Sequence, residues 1–292
     1  MDYKRLRRVS TLLEAHRTVE GAGLPVNRSF PQHGRMDLDP FMLFDHFGPV
    51  TWGPKEASGV PDHPHRGFET VTYVLEGALE HRDSTGGGAV LRAGDVQWMT
   101  AGSGIVHSEM PEADFFNNGG TLHGFQIWVN LPAKDKMVTP RYQDVPADQT
   151  PIAHSDDGKA TVRVVAGESL GVKGAVETRI PITYLHVTLA PGGELLQPVT
   201  SGHNAGVYVF GGEALVAGDP VGEGGMAVLG EGDAVTLSVP EGAVGPADLL
   251  LLAGAPIDEP VARYGPFVMN THEEIRQAVR DYEAGRMGRI AP

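Results

Sequence analysis

The chain has 292 residues, enough for two domains of ordinary size with a core in each. Its net charge of −14 repels phosphate backbones and anionic lipid, which argues against direct nucleic-acid or membrane binding and leaves room for a protein partner. It has no cysteine, so disulfides, thiolate zinc sites and cysteine nucleophiles are excluded, and any metal must be held by histidine, carboxylate and water.

In chain order, the N-terminal MDYKRLRRVSTLLEAHR is basic but has no apolar stretch of secretory length. No segment approaches the roughly 18 apolar residues of a membrane span, so a cytoplasmic protein is expected. Arg5, Arg7 and Arg8 read as a solvated strand edge. ETVTYVLEGALEHRDS (69–84) alternates as a strand, a turn near Gly77 and a second strand. Gly86, Gly87 and Gly88 lack the Lys-Ser/Thr of a phosphate loop and read as a hairpin turn. GGAVLRAGDVQWMT (87–100) and LHGFQIWVNLP (122–132) continue the series, as a sandwich or barrel would. The stretch 133–153 is polar, proline-bearing and aperiodic, and reads as the connection between domains. Strand patterns resume in KATVRVVAG, ITYLHVTLA, AGVYVFGGEALVAG, GMAVLGEGDAVTLSVP and ADLLLLAG. THEEIRQAVRDYEAGRMG is the one clear helix, with Thr271 as N-cap, Glu274 closing a capping box, and Ile275, Val279 and Tyr282 on one face. These patterns predict an N-terminal domain over 1–135, a linker over 136–150 and a C-terminal domain over 151–292 that ends in the helix.

An internal repeat supports two copies of one β-unit. AVLRAGD (89–95) returns as AVLGEGD (227–233), and TYVLEG (72–77) resembles VYVFGG (207–212), in the same order.

His63 and His65 stand two apart in DHPHRGFET, as do His107 and Glu109 in SGIVHSEMP. On a strand such pairs share a face, so two of them on neighbouring strands can converge inside a barrel. Pro64 between the first two places them at the start of a strand rather than mid-ladder. Three imidazoles and a carboxylate suit a first-row divalent ion: Fe, Mn, Ni, Co, Cu or Zn. Four protein ligands leave one or two positions open on an octahedral ion, which a catalytic metal needs. Offsetting these residues by the repeat lands on Pro198, Thr200, Gly245 and Ala247, so the second copy lacks the site. His203, alone there, reads as a loop or surface residue.

HPHRGFETVTYVLEG followed by AGDVQWMTAGSGIVHSEMP resembles the signature of the pirin family of bicupins. LDPFMLFDHFGP (38–49), LHGFQIWVNLP and GPFVMNTHEEI (265–275) resemble further family motifs, in family order. The resemblance implies an all-β fold: two cupin (jelly-roll) barrels packed together, with a short C-terminal helix. It also implies a metal, usually Fe(2+), in the N-terminal barrel alone, held by His63, His65, His107 and Glu109. Glu69 stands where many cupins take their carboxylate, and remains a competitor for that position.

His81 and His123 are candidates for a pocket wall, as are Phe68 and Met99 for an apolar cavity, and Gln126 and Trp128 share a strand beside them. Pirin relatives resemble quercetinases, which open a flavonol ring with O2. That implies a flavonol-like substrate and O2 as partners, with Glu109 taking the substrate hydroxyl proton as general base. The alternative is an iron-dependent regulatory binding protein without turnover, and a third reading is a metal-stabilised storage or stress protein.

Overall fold

The computed structural model describes residues 5–32 and 38–291. Masses of short alternating strands give two compact units, each a seven-stranded antiparallel sheet facing a four-stranded one. No helix among the described residues is long and apolar enough to cross a membrane.

One unit gathers described residues of 17–31, 41–147 and 257–292. Its larger sheet runs Arg141–Val145, Val96–Thr100, Phe68–Glu76, Gly120–Asn130, Phe41–Trp52, Leu24–Phe30, His16–Glu20. Its smaller sheet runs Val60–His65, Ile105–Pro111, Ala78–Asp83, Gly88–Arg92. Val60–His65 is therefore an edge strand, where Pro64 costs no ladder hydrogen bond. The other unit gathers described residues of 5–16, 32, 38–40 and 148–256, and its interior is aliphatic: Val162, Leu185, Val207, Leu249 and their neighbours.

The units do not follow the predicted boundaries. Val9–Glu14 pairs with Gly225–Leu229 in the second unit, and the tail with its helix packs in the first. Arg7, expected at a solvated edge, is 2% exposed and donates to the carbonyls of Gly230 and Thr200. The expected linker is also structured: Arg141–Val145 pairs with Val96–Thr100 as the sheet edge. Pro140 and Pro146 flank that five-residue strand and hide its period. A six-residue helix, Ala113–Asn118, capped by Glu112, was not among the predicted elements.

The repeat is real at the level of topology, but its two sequence matches differ in kind. Phe68–Glu76 and Asn204–Gly211 hold the same place in their sheets, so TYVLEG and VYVFGG are true equivalents. Gly94 N donates to Val74 O and Gly224 N to Val209 O, which makes Gly94 correspond to Gly224. AVLRAGD and AVLGEGD consequently lie one strand out of step. The strands equivalent to Val60–His65 and Ile105–Pro111 are Glu194–Pro198 and Ala234–Ser238. They bury Leu195, Val235 and Leu237, so this interior has no metal-binding cluster among the described residues.

The helix His272–Glu283 has the predicted capping box and buries Ile275 and Ala278 against Val106, Phe267, Met269 and Met287. Gly67 ends the HPHRG turn at φ +87, where a Cβ would sit 2.0 Å from Val268 O. Lys136, 1% exposed, donates to Gly67 O, Asn130 Oδ1 and Val268 O, joining that turn to the tail; burial lowers its pKa to about 8.

Candidate metal centre

In the first unit, His107 pairs in register with His63, and Ile105 with His65. The edge strand and its neighbour thus bring three imidazoles together, with ligand nitrogens of His63, His65 and His107 all within 4.8 Å of one another. The rings of His63 and His107 are 4.3 Å apart, and those of His65 and His107 4.9 Å.

Hydrogen bonding at the far nitrogens fixes what the near ones offer. His63 Nδ1 faces Pro61 O at 2.7 Å, and His65 Nδ1 faces Pro266 O at a longer 3.4 Å. A carbonyl only accepts, so each Nδ1 that faces one carries a proton, which leaves Nε2 of a neutral ring as the nitrogen open to a ligand. Those two Nε2 atoms stand 3.0 Å apart. Burial first, then the neighbouring His63, holds His65 neutral, with its pKa well below the ordinary value. A cation held there would take both nitrogens as ligands.

His107 repeats the pattern. It is 1% exposed, its Nδ1 lies 2.8 Å from His81 Nε2, and its own Nε2 has no hydrogen-bond partner. Burial, then His63, His65 and His81, drive its pKa well below the ordinary value. A buried imidazole nitrogen without a partner costs about 1–3 kcal/mol, and a coordinated ion removes that cost. Each cluster histidine therefore has an outer nitrogen held by a partner and an inner one turned toward the other two, as metal-binding histidines do. The donor set fits a divalent ion.

His81 lies behind the cluster rather than in the pocket wall. It turns His107 and stands 3.5 Å from the Tyr142 hydroxyl. We expect His81→Phe to weaken metal binding about 10- to 100-fold while leaving the three ligands in place. A competition titration with a chelator reads this directly, and an unchanged affinity would remove His81 from the centre.

Glu109 is not a member of the three-histidine cluster among the described residues. A register shift between His107 and Glu109 sets Glu109 opposite Val60, and its Oε1 accepts from the Thr72 hydroxyl at 2.8 Å. It does line the same cavity as His63 and His65. Glu69 is 1% exposed and accepts from the Thr100 hydroxyl at 2.6 Å. The break at Arg66–Gly67 ends the strand of His65, so alternation does not carry from His65 to Glu69. On the new strand Phe68 points at His65 and Trp128, ring centroids 5.0 and 4.4 Å away, and its neighbour Glu69 takes the opposite face.

The cavity above the cluster has a volume of about 420 Å³ and apolar walls that include Leu24, Val26, Phe47 and Leu79. Gln126 and Trp128 line it, as same-face neighbours on one strand. His123 does not: it lies on the opposite face, 2.7 Å from His46 by their Nε2 atoms. Burial, then His123, lowers the pKa of His46 to about 3, so His46 is the neutral member of this contact. Met99 belongs to a small core group with Ala101 and Ile105. Sequence reasoning missed Arg28, Asp45 and Arg263 at the cavity; they lie on three separate strands, and no local motif joins them.

The Pirin family model matches residues 23–129, and the Pirin C-terminal cupin domain model matches 184–288. A "Pirin-like protein" of Solanum lycopersicum is 45% identical over 287 residues, covering 98% of this chain and 94% of its own. "Pirin" of Homo sapiens is 41% identical over 287 residues, covering 97% and 94%. Among solved structures, a quercetin 2,3-dioxygenase from Acinetobacter baumannii superposes with a TM-score of 0.91 at 36% identity, covering 98% of this chain and all of the other.

Proposed function

The chain belongs to the pirin family, two cupin barrels with a short C-terminal helix, and on that premise we propose that it is a metal-dependent dioxygenase of the quercetinase type, opening a flavonol-like ring with O2. One observation carries the proposal: a cluster of three histidines stands at a largely apolar cavity of about 420 Å³, with His63 and His65 in its lining. The likeness to the Acinetobacter baumannii quercetin 2,3-dioxygenase supports it.

His63, His65 and His107 hold the ion, with Glu109 as the fourth ligand once it turns from Thr72. A bound divalent ion, Fe(2+) first among the candidates, supplies Lewis acidity toward the hydroxyl-ketone edge of a flavonol and redox access to O2. The remaining work falls to the chain. Glu109 takes the substrate hydroxyl proton, since a carboxylate at the cavity floor is placed to act as general base. Thr72 holds that carboxylate beside the cluster through a 2.8 Å hydrogen bond until the ion draws it in, and its oxygen is 2.9 Å from the Gln126 side-chain oxygen. Leu24, Val26, Phe47 and Trp128 hold a planar ring and exclude water.

The test is anaerobic reconstitution with Fe(2+), metal analysis, and O2 uptake with quercetin. Wild type should hold about one ion per chain and consume O2, and Glu109→Gln should lose about 100-fold or more in kcat. A full metal load with no O2 uptake across several metals would favour a regulatory binding protein. Failure to bind any metal would end the proposal.

A further inference from the structure

Two arginines line the cavity, and they are used differently. Arg28 is saturated: its Nε and Nη2 donate to the two carboxylate oxygens of Asp45 at 2.7 and 2.6 Å, and Nη2 also meets Glu20. Asp45 is its partner in strand register, so this fork is fixed by the sheet. Both carboxylates are hydrogen-bonded to Arg28, though their charge also reaches Arg263. Arg263, on the Ala262–Tyr264 strand of the tail, makes no hydrogen bond or ion pair with any described residue. Its guanidinium carbon lies 4.6 Å over the ring of Trp128, which is edge-on to His65 at 5.3 Å.

An exposed arginine ordinarily finds a carboxylate or extends into water. This chain has 37 acidic residues against 23 basic ones, yet Arg263 is left over an aromatic ring at a cavity mouth. A guanidinium so placed keeps its planar N–H fork for an outside acceptor, and a carboxylate matches that fork with two parallel hydrogen bonds. One ring therefore separates a cationic fork from a histidine cluster suited to a metal. A ligand spanning the two needs metal-binding oxygens at one end, a flat apolar middle against Trp128 and the aliphatic wall, and an anion at the other end.

We infer that Arg263 selects the substrate, and that the substrate is an aromatic compound carrying a carboxylate at the end remote from its metal-binding oxygens. This rests on the proposed reading of the cavity as the site of a planar, metal-chelating substrate, and it narrows that substrate from a neutral flavonol to an aromatic acid. The protein's overall charge repels anions, so the selection is local to the fork.

The experiment is isothermal titration of the zinc-loaded protein, which reads binding without oxygen chemistry. The probes are 3,4-dihydroxybenzoate and its longer relative caffeate, each against its neutral amide. Wild type should prefer the acid about ten-fold for at least one of the two lengths, the size of one charge-assisted contact at a partly exposed site. Arg263→Met should bring the acid down to the affinity of the amide and so erase the preference, and Arg263→Lys should keep part of it. Equal binding of acid and amide at both lengths, a preference that survives Arg263→Met, or no binding of any probe at millimolar concentration would overturn the inference. Loss of amide binding in Arg263→Met would overturn it too, because Arg263 would then be supporting Trp128 rather than reading charge. Absent O2 uptake with quercetin leaves this preference intact, and equal binding of acid and amide leaves O2 uptake intact.

Discussion

His107→Ala is expected to abolish the metal centre while sparing the fold. Wild type brings three nitrogens within 4.8 Å of one another, and the variant brings two. What remains is an edge strand with a His-Pro-His pair, which is not closed over an ion from the other side. Metal content after desalting should fall from about one ion per chain to background. The same change shows in stability, because an ion that binds only the folded state adds about 4 kcal/mol at a thousand times its Kd. For a domain of this size that raises Tm by roughly 10 °C, and calorimetry of His107→Ala with and without zinc should show no shift. Without metal, the variant loses the His81 contact, about 1 kcal/mol, and leaves a small cavity between His63, His65 and His81, so it should still unfold cooperatively. Burial keeps His65 and His107 neutral, so proton competition at those two ligands is weak in mild acid. A variant that kept both its metal and its thermal shift would show that the ion, if any, sits elsewhere.

Much of this was legible in the letters. The two His-x-acceptor pairs fall on neighbouring strands because alternation has period two, and that needs no tertiary information. Glu109 shows the limit: it has the parity of His107, but a register shift after His107 and the hydroxyl of Thr72 hold its carboxylate outside the cluster. Parity also misled at Glu69, because Gly67 resets the strand between it and His65. The repeat AVLxxGD marks a strand followed by a tight turn, a local device that any β-unit can use twice, so it recurred one strand out of step. The exchange of terminal segments between units was hidden for a different reason. Val9–Glu14 and the tail look like ordinary strand and helix in sequence, and only pairing partners reveal where they belong. Arg263 had no signal at all: a three-residue strand carries no period, and its partner Trp128 is far away in the chain.

The tail that delivers Arg263 is held by one buried ion pair, and breaking it should reach the metal. Arg66, next to His65, donates by Nε to Ser103 O at 2.7 Å and by Nη1 to Asp281 at 2.7 Å, with side chains only 6% and 13% exposed. Asp281 also accepts from Arg286 and Gln277. Burial alone would raise its pKa, but the hydrogen bonds from Arg66, Arg286 and Gln277 outweigh it and hold the group at about 2. A carboxylate depressed in the folded state stabilises above its unfolded pKa and loses that stabilisation as pH falls through the folded value. The window here runs from near 4 down to about 2, and the contribution is roughly 2 kcal/mol. Asp281→Asn removes the charge at every pH and leaves Arg66 buried with one neutral acceptor, a loss of about 3–5 kcal/mol. Denaturant unfolding at neutral pH should show that loss, and the step between pH 4 and 2 should shrink in the variant. The Arg66 carbonyl accepts from Val268 N, and Pro266, two residues earlier, presents its carbonyl to His65 Nδ1. Loosening the helix frees that carbonyl and with it the orientation of His65. Asp281→Asn should therefore weaken metal binding as well, by less than the 10- to 100-fold expected of His81→Phe because the Pro266 contact is the longer one. Reduced stability with unchanged metal affinity would mean that the tail braces the barrel without aiming the ligand.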